Sequence, residues 1–146
     1  MNIFLQYTTI KPRIDEEISR VADELYADDG SPLYDTVVLT SKDTATVMRH
    51  IDDAVSAFVS RAFDIVTVDT SNTTPQSKAA LNIYVPDFDD TMTQAVDAEF
   101  RTYCVCYACA MILQHRAAAY VPEYTDRAKA AMDKCITLLK SRKTPV

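Results

Sequence analysis

A single glycine, Gly30, serves all 146 residues, and tryptophan is absent. Phosphate-cradling loops and dinucleotide fingerprints need glycines where backbone must approach the ligand closely, so the scarcity argues against the common nucleotide-binding folds. No apolar run approaches the roughly 18 residues a membrane-spanning helix requires, and the opening MNIFLQYTTIKPR lacks the basic, apolar, small-residue order of a signal peptide. Internal repeats and low-complexity tracts are lacking too. These features predict a soluble protein made and kept in a cytoplasm, with no membrane partner. Three of the four cysteines, Cys104, Cys106 and Cys109, crowd one short stretch and Cys135 stands apart. That spacing suits a reducing compartment better than a disulfide framework.

What is present describes an ordinary globular chain. Apolar residues make up 48% and charged residues 25%, enough greasy surface for a core and too little charge for wholesale disorder. At this length one domain, 1–146, is expected rather than two. The net charge of −6 is unevenly laid out: residues 1–100 hold 7 basic and 18 acidic side chains, whereas residues 101–146 hold 8 and 3. An acidic body disfavours nonspecific nucleic-acid binding, while the basic end can meet an acidic partner or the acidic half of a second copy.

Periodicity predicts a mainly α fold, a four-helix bundle with a long central helix and an inserted β-hairpin. Residues 1–11 form an extended arm. Ile14, Ile18, Val21 and Leu25 share one face of a first helix over about Pro12–Ala27, with Pro12 in its first turn and a breaker cluster at Asp28–Pro32 behind it. Leu33–Thr40 is irregular or extended. Ser41 caps a second helix over about Lys42–Ala62, striped by Val47, Ile51, Val55, Phe58 and Ala62. The period then drops to about two in Asp64–Val68 and Ala80–Val85, which predicts a hairpin over 63–86 with a long tip, ended by Pro86. Asp87 or Asp89 caps a third helix whose apolar stripe runs unbroken from Met92 to Tyr120. Its all-apolar centre, YCVCYACAMIL (Tyr103–Leu113), must be covered on every side. Pro122 opens a last helix, paired with the third, that buries Ala128, Met132, Cys135, Ile136 and Leu139 and ends in a basic tail, 140–146.

No constellation carries a chemistry. Residues two apart on a helix point about 200° from each other, so Cys104 and Cys106 cannot grip one tetrahedral ion, and all four cysteines read as small core residues. His50 and His115 lack zinc or catalytic spacing; a small enzyme using Cys106 or His115 is the weakest of the alternatives. Asp28/Asp29, Asp52/Asp53 and Asp89/Asp90 read as caps and solvated faces. Tyr103, Tyr107, Tyr120 and Tyr124 lie along the contact of the last two helices, where core packing and a subunit interface compete as explanations. Catalytic residues, metal ligands and cofactors are therefore not expected.

Two blocks carry a resemblance. IDDAVSAFVSRAF (Ile51–Phe63) and DAEFRTYCVCYACAMILQHRAAAYVPEYTDRAKAAMDKCITLLKSRK (Asp97–Lys143), together about 60 residues, resemble helices of tailed-bacteriophage head-to-tail adaptor proteins. The second block is similar to that family's later pair, a long apolar helix followed by R-A-x-x-A-M-x-x-C-I-x-x-L and a basic close. The chain departs from the pattern in its longer hairpin region and in Thr144-Pro145 where a glycine is usual. The resemblance implies a structural virion protein, assembled in the host cytoplasm: a ring of twelve copies between capsid portal and tail or neck proteins. DNA would pass through the lumen without sequence-specific binding, and no enzymatic activity is implied. Subunit contacts are expected at Phe4 and Tyr7 of the arm, Ile65 and Tyr84 of the hairpin, Tyr120 and Tyr124, and Lys140, Arg142 and Lys143 of the basic end. A cytosolic helical module that binds a partner helix in a groove is the alternative.

Overall fold

The computed structural model describes residues 2–27, 29–65, 67–69 and 78–142. In chain order these form strand β1 (Asn2–Gln6), helix α1 (Tyr7–Asp23), the single-turn helix α2 (Tyr34–Val37), helix α3 (Thr44–Ala62), strands β2 (Thr67–Asp69) and β3 (Lys78–Tyr84), and helices α4 (Thr93–Leu113) and α5 (Val121–Leu139). The protein is mainly helical, with four long helices among the described residues. None of the described helices is long and apolar enough to cross a membrane.

Helix α4 is the axis of the bundle. Its buried residues include Val96, Phe100, the consecutive run Tyr103–Cys106, and Ala108–Ala110. Four buried positions in succession point in four directions 100° apart, so a helix that buries them all needs neighbours all round. Helices α1, α3 and α5 of the same chain supply them. Each neighbour presents a single stripe: Ile10, Ile14, Ile18 and Val21 on α1; Val47, Ile51, Ala54, Phe58 and Ala62 on α3; Tyr124, Ala128, Ala131, Cys135 and Leu139 on α5. The rings of Phe58 and Phe100 meet edge to face with centroids 4.8 Å apart, and the Tyr103 hydroxyl donates to the Ala54 carbonyl at 2.7 Å, tying α4 to α3. Helix α5 returns antiparallel to α4: Lys134 pairs with Glu99 and the Cys135 thiol meets the Val96 carbonyl, near the start of α4.

Several boundaries differ from the sequence expectation. The arm predicted over 1–11 is instead β1 followed without a linker by α1, which starts at Tyr7 and carries Pro12 in its interior. Ile10, fully buried, extends the apolar stripe one turn upstream, and that burial outweighs the backbone hydrogen bond Pro12 forgoes. The helix ends at Asp23 rather than Ala27, where 3₁₀-type bonds from Glu24 and Leu25 close its last turn. Leu33–Thr40, expected to be irregular or extended, contains α2. Ser41 is not a cap but the first residue of a 3₁₀ turn, and Thr40 takes the cap position while its N–H donates to Asp43 at 2.9 Å.

An inserted β-hairpin over 63–86 is not supported as a unit. β3 is the middle strand of a sheet ordered β1-β3-β2 and pairs along five residues with β1 but along only three with β2. The N-terminal segment, distant in sequence, thus supplies the longer ladder, and of the expected tip, 69–79, residues 70–77 lie outside the described residues. Pro86 ends β3 as expected, and Asp87 follows in the left-handed region (φ 55°), which aspartate tolerates better than most residues. Asp89 then accepts hydrogen bonds from Thr91 as a cap.

The long third helix stops at Leu113 with neither glycine nor proline to stop it. The N–H groups of Arg116 and Ala117 both bond to the Leu113 carbonyl, and Ala117 leaves helical geometry (φ −159°, ψ 68°). Arg116 is the reason: its guanidinium is held by another part of the chain, described below.

Candidate functional site

Among the described residues, two polar clusters join distant parts of the chain. The first cluster clamps irregular backbone. Arg116, just past the end of α4, donates through Nη1 to the carbonyls of Val37 (3.1 Å) and Val38 (3.0 Å) and through Nη2 to Asp43 Oδ1 at 2.8 Å. The planar fork of arginine serves several acceptors at fixed angles, which a lysine cannot do. The N–H of Thr40 and the Arg116 guanidinium together hold the Asp43 carboxyl below its usual range despite partial burial.

The second cluster is a seam between α1 and α5. Tyr124 is fully buried, and its hydroxyl donates to Glu17 Oε2 at 2.6 Å while accepting from Arg20 Nη2 at 3.0 Å. Arg20 also reaches the Glu17 carboxylate at 3.1 Å. Arg127 sits over the Tyr124 ring, 5.1 Å from its centroid, with Nη1 3.7 Å from Glu17 and 3.9 Å from Glu123. One turn away the Tyr120 hydroxyl donates to Glu24 at 3.1 Å. Burial pushes the Glu17 carboxyl up, but the Tyr124 hydroxyl and the Arg20 and Arg127 charges outweigh it, leaving a net lowering. Burial, aided by the Glu17 carboxylate, raises the Tyr124 phenol well above its usual range.

The thiols are poor nucleophiles in this setting. Burial raises Cys104, Cys106 and Cys109 above the ordinary thiol range and pushes Cys135 up to about 12. Cys106 lies buried in α4 while His115 is exposed in the turn after it, so no hydrogen bond joins them. Among the described residues no group of three His, Cys, Asp or Glu side chains is placed to hold a metal ion. His50 is half-buried on α3, its Nδ1 lacks a partner among the described residues, and burial lowers its pKa.

The expected contact residues scatter. Tyr124 and Tyr120 come together in the α1–α5 seam, where Tyr124 is withdrawn from the surface and Tyr120 is partly covered. Ile65 is partly buried against the core. Lys140 follows the last turn of α5 and is exposed; Arg142 donates to the carbonyls of Leu139 (2.8 Å) and Ser141 (3.2 Å), capping its own helix. Phe4 lies in β1, Tyr7 begins α1 and Tyr84 ends β3, whereas Lys143 lies outside the described residues.

Sequence reasoning missed the clamp and Phe63. Nothing near Arg116 in sequence announces partners 73 to 79 residues away. Phe63 did carry a signal: it follows Ala62, the last residue of the α3 stripe, and so falls about 100° off the buried face. It is 77% exposed, more than any other large hydrophobic described. Comparison of the chain with protein-family models, with curated proteins and with solved structures found no match.

Proposed function

We propose that this chain is a structural protein of a tailed-bacteriophage particle, one subunit of a ring seated between capsid portal and tail that lengthens the DNA channel without performing catalysis. The observation that carries the reading is a division of labour. The bundle closes on itself, with α4 jacketed by its own chain and the charged groups of the two clusters spent on internal ties. The sheet, by contrast, ends on β1 at one side and β2 at the other, and among the described residues no further strand pairs with either edge. A rigid body with spare pairing capacity suits a part that works by touching its neighbours.

The resemblance of Ile51–Phe63 and Asp97–Lys143 to adaptor helices gives the assembly its identity, and the acidic first hundred residues suit a conduit that DNA traverses without adhering. The ring would hold twelve copies, in contact with portal and tail or neck proteins. Electron microscopy tests this directly: the chain mixed with the portal protein encoded nearest to its gene should yield rotationally symmetric rings on the portal. Single subunits that leave the portal bare would overturn the reading.

A further inference from the structure

We infer that the Asp29–Gly30 peptide is a latent isomerisation site: it converts to isoaspartate when the turn after α1 opens, and the folded turn shields it.

The residue pair sets the chemistry. When aspartate precedes glycine, the glycine amide nitrogen can attack the aspartate Cγ. The amide proton and the carboxyl hydroxyl leave together as water, and a five-membered succinimide forms. Water then reopens the ring. Cleavage of the Cγ–N bond restores aspartate, whereas cleavage at the main-chain carbonyl leaves the chain running through the side chain as isoaspartate. Water is the only other reactant, so no oxidant enters the balance. Glycine, lacking a Cβ, hinders the attack least, and Gly30 is the only glycine in the chain, which gives the step one favoured place. Asp29 and Gly30 are both exposed, and among the described residues nothing lies within 4 Å of where a Cβ on Gly30 would sit.

The folded turn occupies both reacting groups. Asp29 Oδ1 accepts from the Ser31 N–H at 2.9 Å and from the Ser31 hydroxyl at 2.5 Å, an aspartate side chain bonded to the backbone two residues on. The Gly30 N–H donates to the Ala27 carbonyl at 2.9 Å. Around them the Ala27 N–H meets the Ser31 carbonyl at 2.8 Å, and Gly30 takes the left-handed conformation (φ 85°) that closes the turn. The two Ser31 bonds also hold the Asp29 carboxyl below its usual range and so keep it ionised. Ring closure needs the neutral acid, because the hydroxyl must leave as water. The reaction therefore waits for local opening. Isoaspartate adds one atom to the main chain, so the turn cannot reclose on the same bonds.

The full chain, incubated at neutral pH either folded or in guanidinium chloride, tests the site; isoaspartate at residue 29 is read by peptide mapping with isoaspartyl methyltransferase labelling. The unfolded chain should accumulate it, and the folded chain should do so on the order of tenfold more slowly. Ser31→Ala, at an exposed position, should keep the helical circular-dichroism signal and raise the folded rate about threefold, since the main-chain bond survives and the hydroxyl bond is lost. Asp29→Glu should yield no product, its longer side chain requiring a six-membered ring. Equal rates in the folded and unfolded states would overturn the shielding. Absence of isoaspartate at residue 29 in the unfolded chain would overturn the site itself, and that comparison needs no variant.

Discussion

The Arg116 clamp and the Tyr124 seam use the same kinds of group, a guanidinium against a carboxylate, yet they hold different things. Arg116 satisfies backbone: the carbonyls of Val37, the last residue of α2, and of Val38 just after it, with the Asp43 carboxylate of the next turn. The seam joins two regular helices whose backbones are already satisfied, so only side chains meet there. A donor that answers backbone carbonyls has no substitute nearby, whereas the seam has two cations around one carboxylate. Redundancy, rather than charge count, should separate the two in energy.

Replacing Arg116 with methionine should therefore have the largest effect, a loss of about 2–3 kcal/mol measured by urea unfolding. Arg116→Lys should recover less than half of it, because a point charge cannot serve three acceptors in one plane. Equal stability of the lysine variant and the parent would break the comparison. In the seam, Tyr124→Phe keeps the ring beneath Arg127 and removes only the hydroxyl, for an expected loss of about 1 kcal/mol. A loss as large as that of Arg116→Met would mean that the cations around Glu17 do not compensate.

Acid should act on both clusters. Glu17 and Asp43 each have a folded pKa below the unfolded value, so their contribution is complete above the unfolded value and disappears as pH falls through the folded one. Unfolding midpoints should drop between about pH 5 and 3, and Glu17→Gln should flatten that slope. An unchanged slope in the variant would show that Glu17 keeps its unfolded titration. The smallest effect belongs to Arg127→Gln, since Arg127 is 42% exposed and its ion pairs are long. A cost of about 0.5 kcal/mol is expected, shrinking in 1 M salt to what the contact with the Tyr124 ring contributes.

These clusters revise the meaning of the basic C-terminal third. Read along the chain, its positive charge suggests a pole for docking. In the fold, Arg101 pairs with Asp97, Arg116 with Asp43, Arg127 with Glu17 and Glu123, and Lys134 with Glu99, while Arg142 caps its own helix. Much of that charge is answered within the chain, while Lys140 stays exposed beyond the last turn of α5.

The helices were legible because their cause is local. Val47, Ile51, Phe58 and Ala62 recur at helical spacing whatever they pack against, and the unbroken apolar run Tyr103–Leu113 already requires cover on every side. Composition likewise is read directly from the chain: a single glycine argues against a glycine-rich phosphate-cradling loop. Tertiary structure alone decided where α4 ends, because Arg116 is drawn to carbonyls 78 and 79 residues away. It alone brought β1 beside β3, a pairing across more than seventy residues that no local pattern encodes. Periodicity reports which face of a segment is apolar. Which distant donor or strand meets that segment is settled only when the whole chain has collapsed around α4.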